Sequence, residues 1–438
     1  MIRVLEVIPV SKSRPYSAVS VKTVEIEALA SQRCGQKCML GVDVSKSDFM
    51  CVLHWPDGTF HRPWKIKSPG EIRLSVQKLA LLNEKCPLTV VMESSGTYGD
   101  AFRQALGDAK IPVLRVSGKA VKDQSETFDG VPSQHDGKDG AIIADLGQRG
   151  KGKKWELAEA GVLTQELRYW VRQLDRCQKV KQVHQGRIES LLARHWPEAT
   201  EHLEGRGATL MEALALWGDP AALGRDGEGA DTLAGFGGHY LSQEKIEAVV
   251  ESARRSVGVR MTAWDVRELR EMAQGVLCER KRIRECRKEL TRLTAGHEVI
   301  AAQEPALGLT TACVLWMCLG DPRNYPSAAA YRKALGLNLT ECSSGKFKGQ
   351  LRLSKRGQHL GRKWLYFSAM RWMKDPSVKR WTERKKARDG GSAMRALVAV
   401  MRRLALAAWH VAKHGVTFDA GKLFPSGKKI LLMKGGRK

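Results

Sequence analysis

Four carboxylates in the first third of the chain, Asp43, Glu93, Asp136 and Asp139, have the types and contexts that could do chemistry together. Asp43 lies in GVDVSK, at the end of an apolar run from Cys38 to Val44, and Glu93 ends a second run, LTVVMES. Both contexts predict buried strands. Asp136 and Asp139 stand three residues apart in HDGKDGAIIADL, which predicts the opening of a helix with both acids on one face. Two strand-borne and two helix-borne carboxylates can converge on one point. Gathered carboxylates repel unless a hard cation holds them, and Mg²⁺ or Mn²⁺ takes oxygen ligands. In a strongly basic chain the pattern points to metal-assisted phosphoryl transfer on nucleic acid.

A second constellation lies about 200 residues further on. Ser343-Ser344-Gly345 forms a small polar loop, followed by Lys346, Lys348, Arg352, Lys355 and Arg356, with Arg362 and Lys363 beyond. A serine hydroxyl attacks phosphorus only with help from a base or metal and with cations to stabilise the transition state. By composition alone this describes a plain phosphate-binding turn more often than a nucleophile loop.

The elements that must position these residues can be read from periodicity. MLGVDV, DFMCVLHW and TFHRPWKIK predict three neighbouring strands, with Pro56-Asp57-Gly58 as a turn. Ser68 and Glu71 have the spacing of a capping box opening a helix through Leu82. LTVVMES and IPVLRVS predict buried strands with a helix near Gly99 to Ala109 between them. Three early strands and later βα units are what an RNase H-like α/β layer requires. GQRGKGKKW reads as the linker that closes this unit. Leu163, Leu167, Trp170, Leu174, Cys177 and Val180 predict a long amphipathic helix ending near Pro197. A polar, glycine-rich stretch from Gly218 to Gly238 interrupts. Val266, Leu269, Ala273, Val276, Ile283 and Leu290 then predict a second long helix, with Arg280 and Arg287 on its seam. A helical hairpin or short coiled coil follows. PALGLTTACVLWMCLGD resembles half of a helix-hairpin-helix, whose Gly turn can present backbone N–H groups to phosphate. A basic helical region runs on through Gly415.

The bulk numbers bound the class. The chain has 438 residues, enough for two or three cores, and 43% hydrophobic residues exclude a disordered chain. A net charge of +26 implies a polyanionic partner. From Ser344 to Arg403 there are 18 Lys or Arg against three acids, the density of a phosphate-backbone surface. The ten cysteines lack paired spacing, so Cys34 and Cys38 alone do not make a zinc site. They read as thiols of a cytoplasmic protein. No apolar stretch reaches membrane-spanning length and no signal peptide is visible, so no membrane partner is expected.

GVDVSK, the MESSGTYG block, the D-x-x-D of HDGKDG and the ALGLN…SSG…LSKRG…GRKWL run stand in the order found in the insertion sequence 110 family of transposases, the DEDD recombinases guided by a bridge RNA. The chain resembles that family over about residues 38–155 and 300–420. The resemblance implies an α/β plus α protein: a RuvC-like DEDD domain at 37–155, a helical coiled-coil arm at 156–298, and a mainly helical C-terminal transposase domain with a basic tail at 299–438; residues 1–36 have no counterpart in the family and read as an N-terminal extension. It implies that Asp43, Glu93, Asp136 and Asp139 hold the metal and that Ser344 is the nucleophile, with Ser343 as the nearby alternative. Thr97, Tyr98, Ser354-Lys355 and Gly357 match the family's flanking positions. The implied partners are donor and target double-stranded DNA, a structured guide RNA, and further copies in a tetramer of dimers. Two positions depart: His135 stands where the family has Thr, and Gly140 where it has Ala.

Three other readings compete. A RuvC-like structure-specific nuclease would use the acids and an activated water, without a protein nucleophile. A protein-only site-specific invertase would need no RNA. A non-enzymatic nucleic-acid binder would not need the acids.

Overall fold

The computed structural model describes residues 17–93, 96–130, 135–155, 161–344 and 347–425, the side chains of 342–344 and 347–350 excepted. The chain forms two compact units, residues 1–159 and 160–438.

The first unit is built from β1 (Val19–Ser20), α1 (Ile26–Gln32), β2 (Cys38–Val44), β3 (Asp48–His54), β4 (Trp64–Lys67), α2 (Ile72–Lys85), β5 (Leu88–Glu93), α3 (Asp100–Asp108), β6 (Val113–Val116), α4 (Gly118–Asp129), α5 (Asp136–Gln148) and β7 (Lys153–Lys154). The strands form one mixed sheet in the order β1-β4-β3-β2-β5-β6-β7. β2, β3 and β4 are antiparallel neighbours, and β5 and β6 run parallel to β2. This is the α/β layer that the strand pattern predicts, and it fits an RNase H-like domain.

Strand alternation sorts the side chains between two layers. Cys38, Leu40, Val42 and Val44 of β2 and Leu88, Val90 and Met92 of β5 enter one core with Phe49, Leu79, Leu82 and Phe102. Val91 faces a smaller core made with Ile142, Ile143 and Leu146 of α5. Asp43 and Glu93 therefore fall on the α5 side.

Several local expectations are corrected. The residues read as an N-terminal extension contribute an edge strand from Val19, and Val21, Val24, Ile26 and Ala30 join the main core. Ser68 does not cap α2. Its N-cap is Glu71, whose carboxylate accepts from the backbone N–H of Lys67 at 2.9 Å. The supposed linker carries β7, whose Lys153 pairs with Arg115 of β6. Helix α4, capped by Ser117, was not anticipated because only Val121 and Ser125 of it are buried.

The second unit is helical apart from one hairpin. Its elements are α6 (Val162–His195), α7 (Ala199–His202), α8 (Ala208–Leu216), α9 (Pro220–Arg225), α10 (Gly229–Gly237), α11 (Gln243–Arg254), α12 (Ala263–Leu293), α13 (Glu298–Leu307), α14 (Leu309–Leu319), α15 (Ala328–Ala334), β8 (Leu339–Ser344), β9 (Phe347–Leu353), α16 (His359–Trp372), α17 (Pro376–Arg388), α18 (Ala393–His414) and α19 (Ala420–Leu423). Helices α6 and α12 pack antiparallel: Leu167, Val171 and Cys177 share a core with Ile283, Cys286 and Leu290, and Ile188 and Leu191 share another with Leu269, Ala273 and Val276. Glu279 and Cys286 occupy the seam, so Arg280 and Arg287 lie beside it rather than on it. The glycine-rich stretch is not a loop. It forms α9 and α10, with Leu223 and Leu233 in the core.

The Gly turn at the helix-hairpin-helix match joins α13 and α14 at Gly308, φ +77°, with Arg371 packed over it. It is a tight joint between buried helices. Among the described residues, no helix is long and apolar enough to cross a membrane.

Candidate metal centre

Sheet register places the first two acids. Val42 of β2 pairs with Met92 of β5 in a parallel ladder, so the next residues along, Asp43 and Glu93, end adjacent strands. Both are half-buried on the face that α5 covers. Helix α5 begins at Asp136, which is exposed, and Asp139 one turn on is half-buried.

Close backbone approach brings the helix down to those strands. A Cβ on Gly41 would lie 2.5 Å from the backbone nitrogen of Ala144 and would overlap the carbonyl oxygen of Gly140. A Cβ on Gly140 would stand 2.9 Å from Cγ2 of Val52. Glycine at both positions removes the side chains that would hold α5 off the sheet. Gly118 does the same for α4: a Cβ there would overlap the Glu93 carboxylate, which lies against the first turn of that helix.

The carboxylates feel one another. Burial pushes Asp43 up to about 6, helped by the charges of Asp139, Asp136 and Glu93, against a bond from the Val44 N–H. Burial and Asp139 raise Glu93. Burial and Asp136 raise Asp139, and Lys138 and His135 partly offset this. Lys138 is fully buried between the two aspartates of the pair, and its Nζ meets Asp129 at the end of α4 at 2.7 Å. This ion pair ties the first turn of α5 to α4. Sequence reasoning passed over Gly41, Gly118, Asp129 and Lys138, because what each meets is remote in sequence or on another element.

Among the described residues, no three His, Cys, Asp or Glu side chains stand in a ready ion-holding arrangement. The donor chemistry nonetheless fits a hard divalent cation: carboxylate oxygens are its preferred ligands, and the repulsion that raises Asp43, Glu93 and Asp139 is relieved when a cation binds. Cys38, by contrast, is a core thiol pushed up to about 12 by burial and by Cys86, which does not suit a metal ligand.

The structure sets Glu93, Asp136 and Asp139 near enough to Asp43 for their charges to raise its pKa, and it treats the serine region differently. Ser343 and Ser344 end strand β8 rather than sitting in an open loop, and the β8–β9 ladder shifts register between Cys342 and Ser344. Their side chains, that of Lys348, and Lys346 itself lie outside the described residues. Arg352, Lys355 and Arg356 are exposed. Two of the basic residues assigned to nucleic acid have internal duties. Arg362 donates to the carbonyls of Leu335 at 2.9 Å and Gly357 at 3.0 Å, and Lys363 donates to Asp175 at 2.5 Å. Lys355 has φ +53° and its N–H bonds the carbonyl of Gly336, which fixes the turn after the hairpin.

A carboxylate cluster on the central strands of such a sheet, closed by a D-x-x-D helix, defines the DEDD class of phosphoryl-transfer domains, which implies a divalent metal. A family model for DEDD transposases of the insertion sequence 110 type, described as a transposase, matches residues 40–197. A second, described as the transposase IS116/IS110/IS902 family, matches residues 300–383. No curated protein matches the chain. The chain belongs to the insertion sequence 110 family of transposases, and it is a DNA transposase whose substrates are DNA.

Proposed function

We propose that the protein is an RNA-guided DNA recombinase that cuts and exchanges strands through Ser344. The observation that carries the reading is the carboxyl of Asp43, pushed up to about 6 by burial and by the charges of Asp139 and Asp136 on α5 and of Glu93 on the neighbouring strand. These four carboxylates would hold Mg²⁺ or Mn²⁺, which supplies charge stabilisation at a phosphate oxygen and acidifies a bound hydroxyl.

The serine step balances simply. Oγ of Ser344 attacks the DNA phosphorus, an Oγ–P bond forms, the bond from phosphorus to the 3′ oxygen breaks, and the serine proton ends on that oxygen. Attack by the 3′ hydroxyl of another strand reverses the exchange, joining new DNA and releasing the serine. Exposed Arg352, Lys355 and Arg356 beside the hairpin would hold the backbone in place. The long α6–α12 pair would serve as a coiled-coil arm for assembly into a tetramer of dimers. Its Arg187–Glu268 ion pair at 2.6 Å and the two apolar cores along its seam support a stiff element. Target choice would rest on base pairing to a bound guide RNA, consistent with a chain of net charge +26.

A RuvC-like nuclease is the second reading, because the whole acid cluster lies within the first unit. Covalent trapping separates the two. Protein with its flanking RNA, labelled donor DNA and Mg²⁺ is run on a denaturing gel. A protein–DNA band lost in both Ser344→Ala and Asp43→Ala is expected. Cleavage that persists in Ser344→Ala without a covalent band would overturn the serine mechanism. Wild type stripped of RNA should lose target choice, whereas an RNA-independent reaction would identify a protein-only invertase.

A further inference from the structure

The first unit has a second feature that the acids do not use: a cavity of about 300 Å³ between the β3–β4 connection, α4 and α5. His54 and Phe60 wall it from the connection, Gln124 and Phe128 from α4, and Asp145 and Arg149 from α5. It opens at the opposite end of the elements that carry the acids. In the β2–β3 ladder Asp43 pairs with Met50, whereas His54 pairs with Met39 at the far end. Likewise Asp139 is in the first turn of α5 and Arg149 caps its last.

Three properties define what the cavity suits. Its wall is aromatic: Phe60 stacks on His54 with ring centroids 4.2 Å apart and planes within 7°, and Phe128 meets Phe60 edge-on at 5.7 Å. Its polar groups are paired but not used up. Arg149 donates through Nε to Oδ1 of the buried Asp145 at 3.0 Å, with Oδ2 at ion-pair distance, and its side chain stays half exposed. His54 is buried, and its Nδ1 meets no hydrogen-bond partner among the described residues. Unmet buried polar atoms are costly, so a water, an ion or a ligand group must complete this one. One cation lines it, since the half-exposed Arg149 is part of its wall.

We propose that this cavity takes one unpaired nucleotide of the bound nucleic acid, with the base against the Phe60 and Phe128 wall and the phosphate at Arg149. A base has a flat π-face for the aromatic wall, and the carboxylate–guanidinium pair offers an acceptor and donors to its edge. A base still in a duplex has both faces stacked and its pairing edge occupied, so only an unpaired one enters. The inference rests on the chain being a nucleic-acid enzyme and goes beyond the acid cluster. RNA and DNA share this chemistry, and the probes distinguish them.

The test uses the full-length protein with EDTA and fluorescence anisotropy. The probes are a labelled single-stranded RNA oligomer, the same sequence as DNA, and a fully paired DNA duplex. The variants are Phe60→Ala, which removes the stacking wall, and Thr127→Trp, which fills the cavity from an exposed position on α4. Both should weaken single-strand binding about tenfold, the scale of one stacked base, and leave duplex binding unchanged. The larger loss identifies RNA or DNA as the source. If Phe60→Ala does not fold, Thr127→Trp decides alone. Unchanged single-strand binding, or an equal loss on single strand and duplex, overturns the nucleotide site alone. Wild-type protein that binds none of the probes would overturn the nucleic-acid reading with it.

Discussion

Gly41 of β2 and Gly140 of α5 meet backbone to backbone: a Cβ on Gly41 would overlap the Gly140 carbonyl oxygen and stand 2.5 Å from the Ala144 nitrogen. This contact sets the height of the D-x-x-D helix over Asp43. Gly41→Ala should therefore push α5 off the sheet, costing about 3 kcal/mol as an overpacked site against rigid backbone. Gly140→Ala meets only a Val52 methyl at 2.9 Å, and the gain in helix propensity, about 1 kcal/mol, offsets that strain. Thermal melts should show a large loss for the first and almost none for the second. Equal losses would show that the crossing is not what positions α5.

Asp43 makes stability depend on pH in a defined direction. Its folded-state pKa is raised to about 6, above the ordinary carboxylate value, so the folded state binds the proton more tightly. Its contribution is most favourable below pH of about 4, and declines as pH rises to about 6. For metal-free protein at pH 7, Asp43→Asn should raise stability by about 1 kcal/mol, allowing for solvent screening of a half-exposed group. The corresponding rise in melting temperature is about 2–4 °C. The gain should vanish at pH 4 and reverse when Mg²⁺ is added at pH 7, since the variant loses a ligand. A variant that melts like wild type at every pH would show that the acids do not interact.

The Lys138–Asp129 pair should respond asymmetrically. Lys138 is fully buried, whereas Asp129 retains some exposure. Asp129→Ala removes an ion-pair partner from a fully buried cation and should cost more than Lys138→Met, whose remaining carboxylate can reach water. Urea unfolding curves of both variants measure the difference. The reverse order would place the anchoring role on another partner.

The basic residues after the hairpin should divide into two groups. Arg362→Ala removes two bonds to main-chain carbonyls and should lower stability by about 2 kcal/mol. Lys355→Ala and Arg356→Ala should leave the fold intact and weaken DNA binding, each lowering the salt slope by about 1. Binding titrations over a range of salt, beside melts, test the division. A lost phosphate contact without destabilisation in Arg362→Ala would restore it to the nucleic-acid surface.

Much of the first unit was legible from strand periodicity. The runs that carry Asp43 and Glu93 predict buried strands, and HDGKDG predicts a helix start, as the structure has them; that the two strands are neighbours came from the fold. Elements with a weak local signal were missed or misread. β1 and β7 are two-residue edge strands, too short to show alternation, and α4 buries too little to show a stripe. The capping box at Ser68 and Glu71 has the right spacing, but Glu71 bonds Lys67 instead, a choice made by the chain path. Arg362 and Lys363 looked like the other cations because a side chain's partner cannot be read from its type.

The order of residues by itself determined the types present: four acids at strand and helix ends, a basic hairpin region, and apolar runs with periods near two and three to four. These are local properties, set by backbone geometry within a few residues. Tertiary structure decided which of them meet. Asp43 and Asp139 act on each other because two glycines, about 100 residues apart, let a helix lie directly on a strand. Lys138 became a buried anchor because α4 ends beside it. Such contacts depend on packing between distant segments, and no local period encodes them.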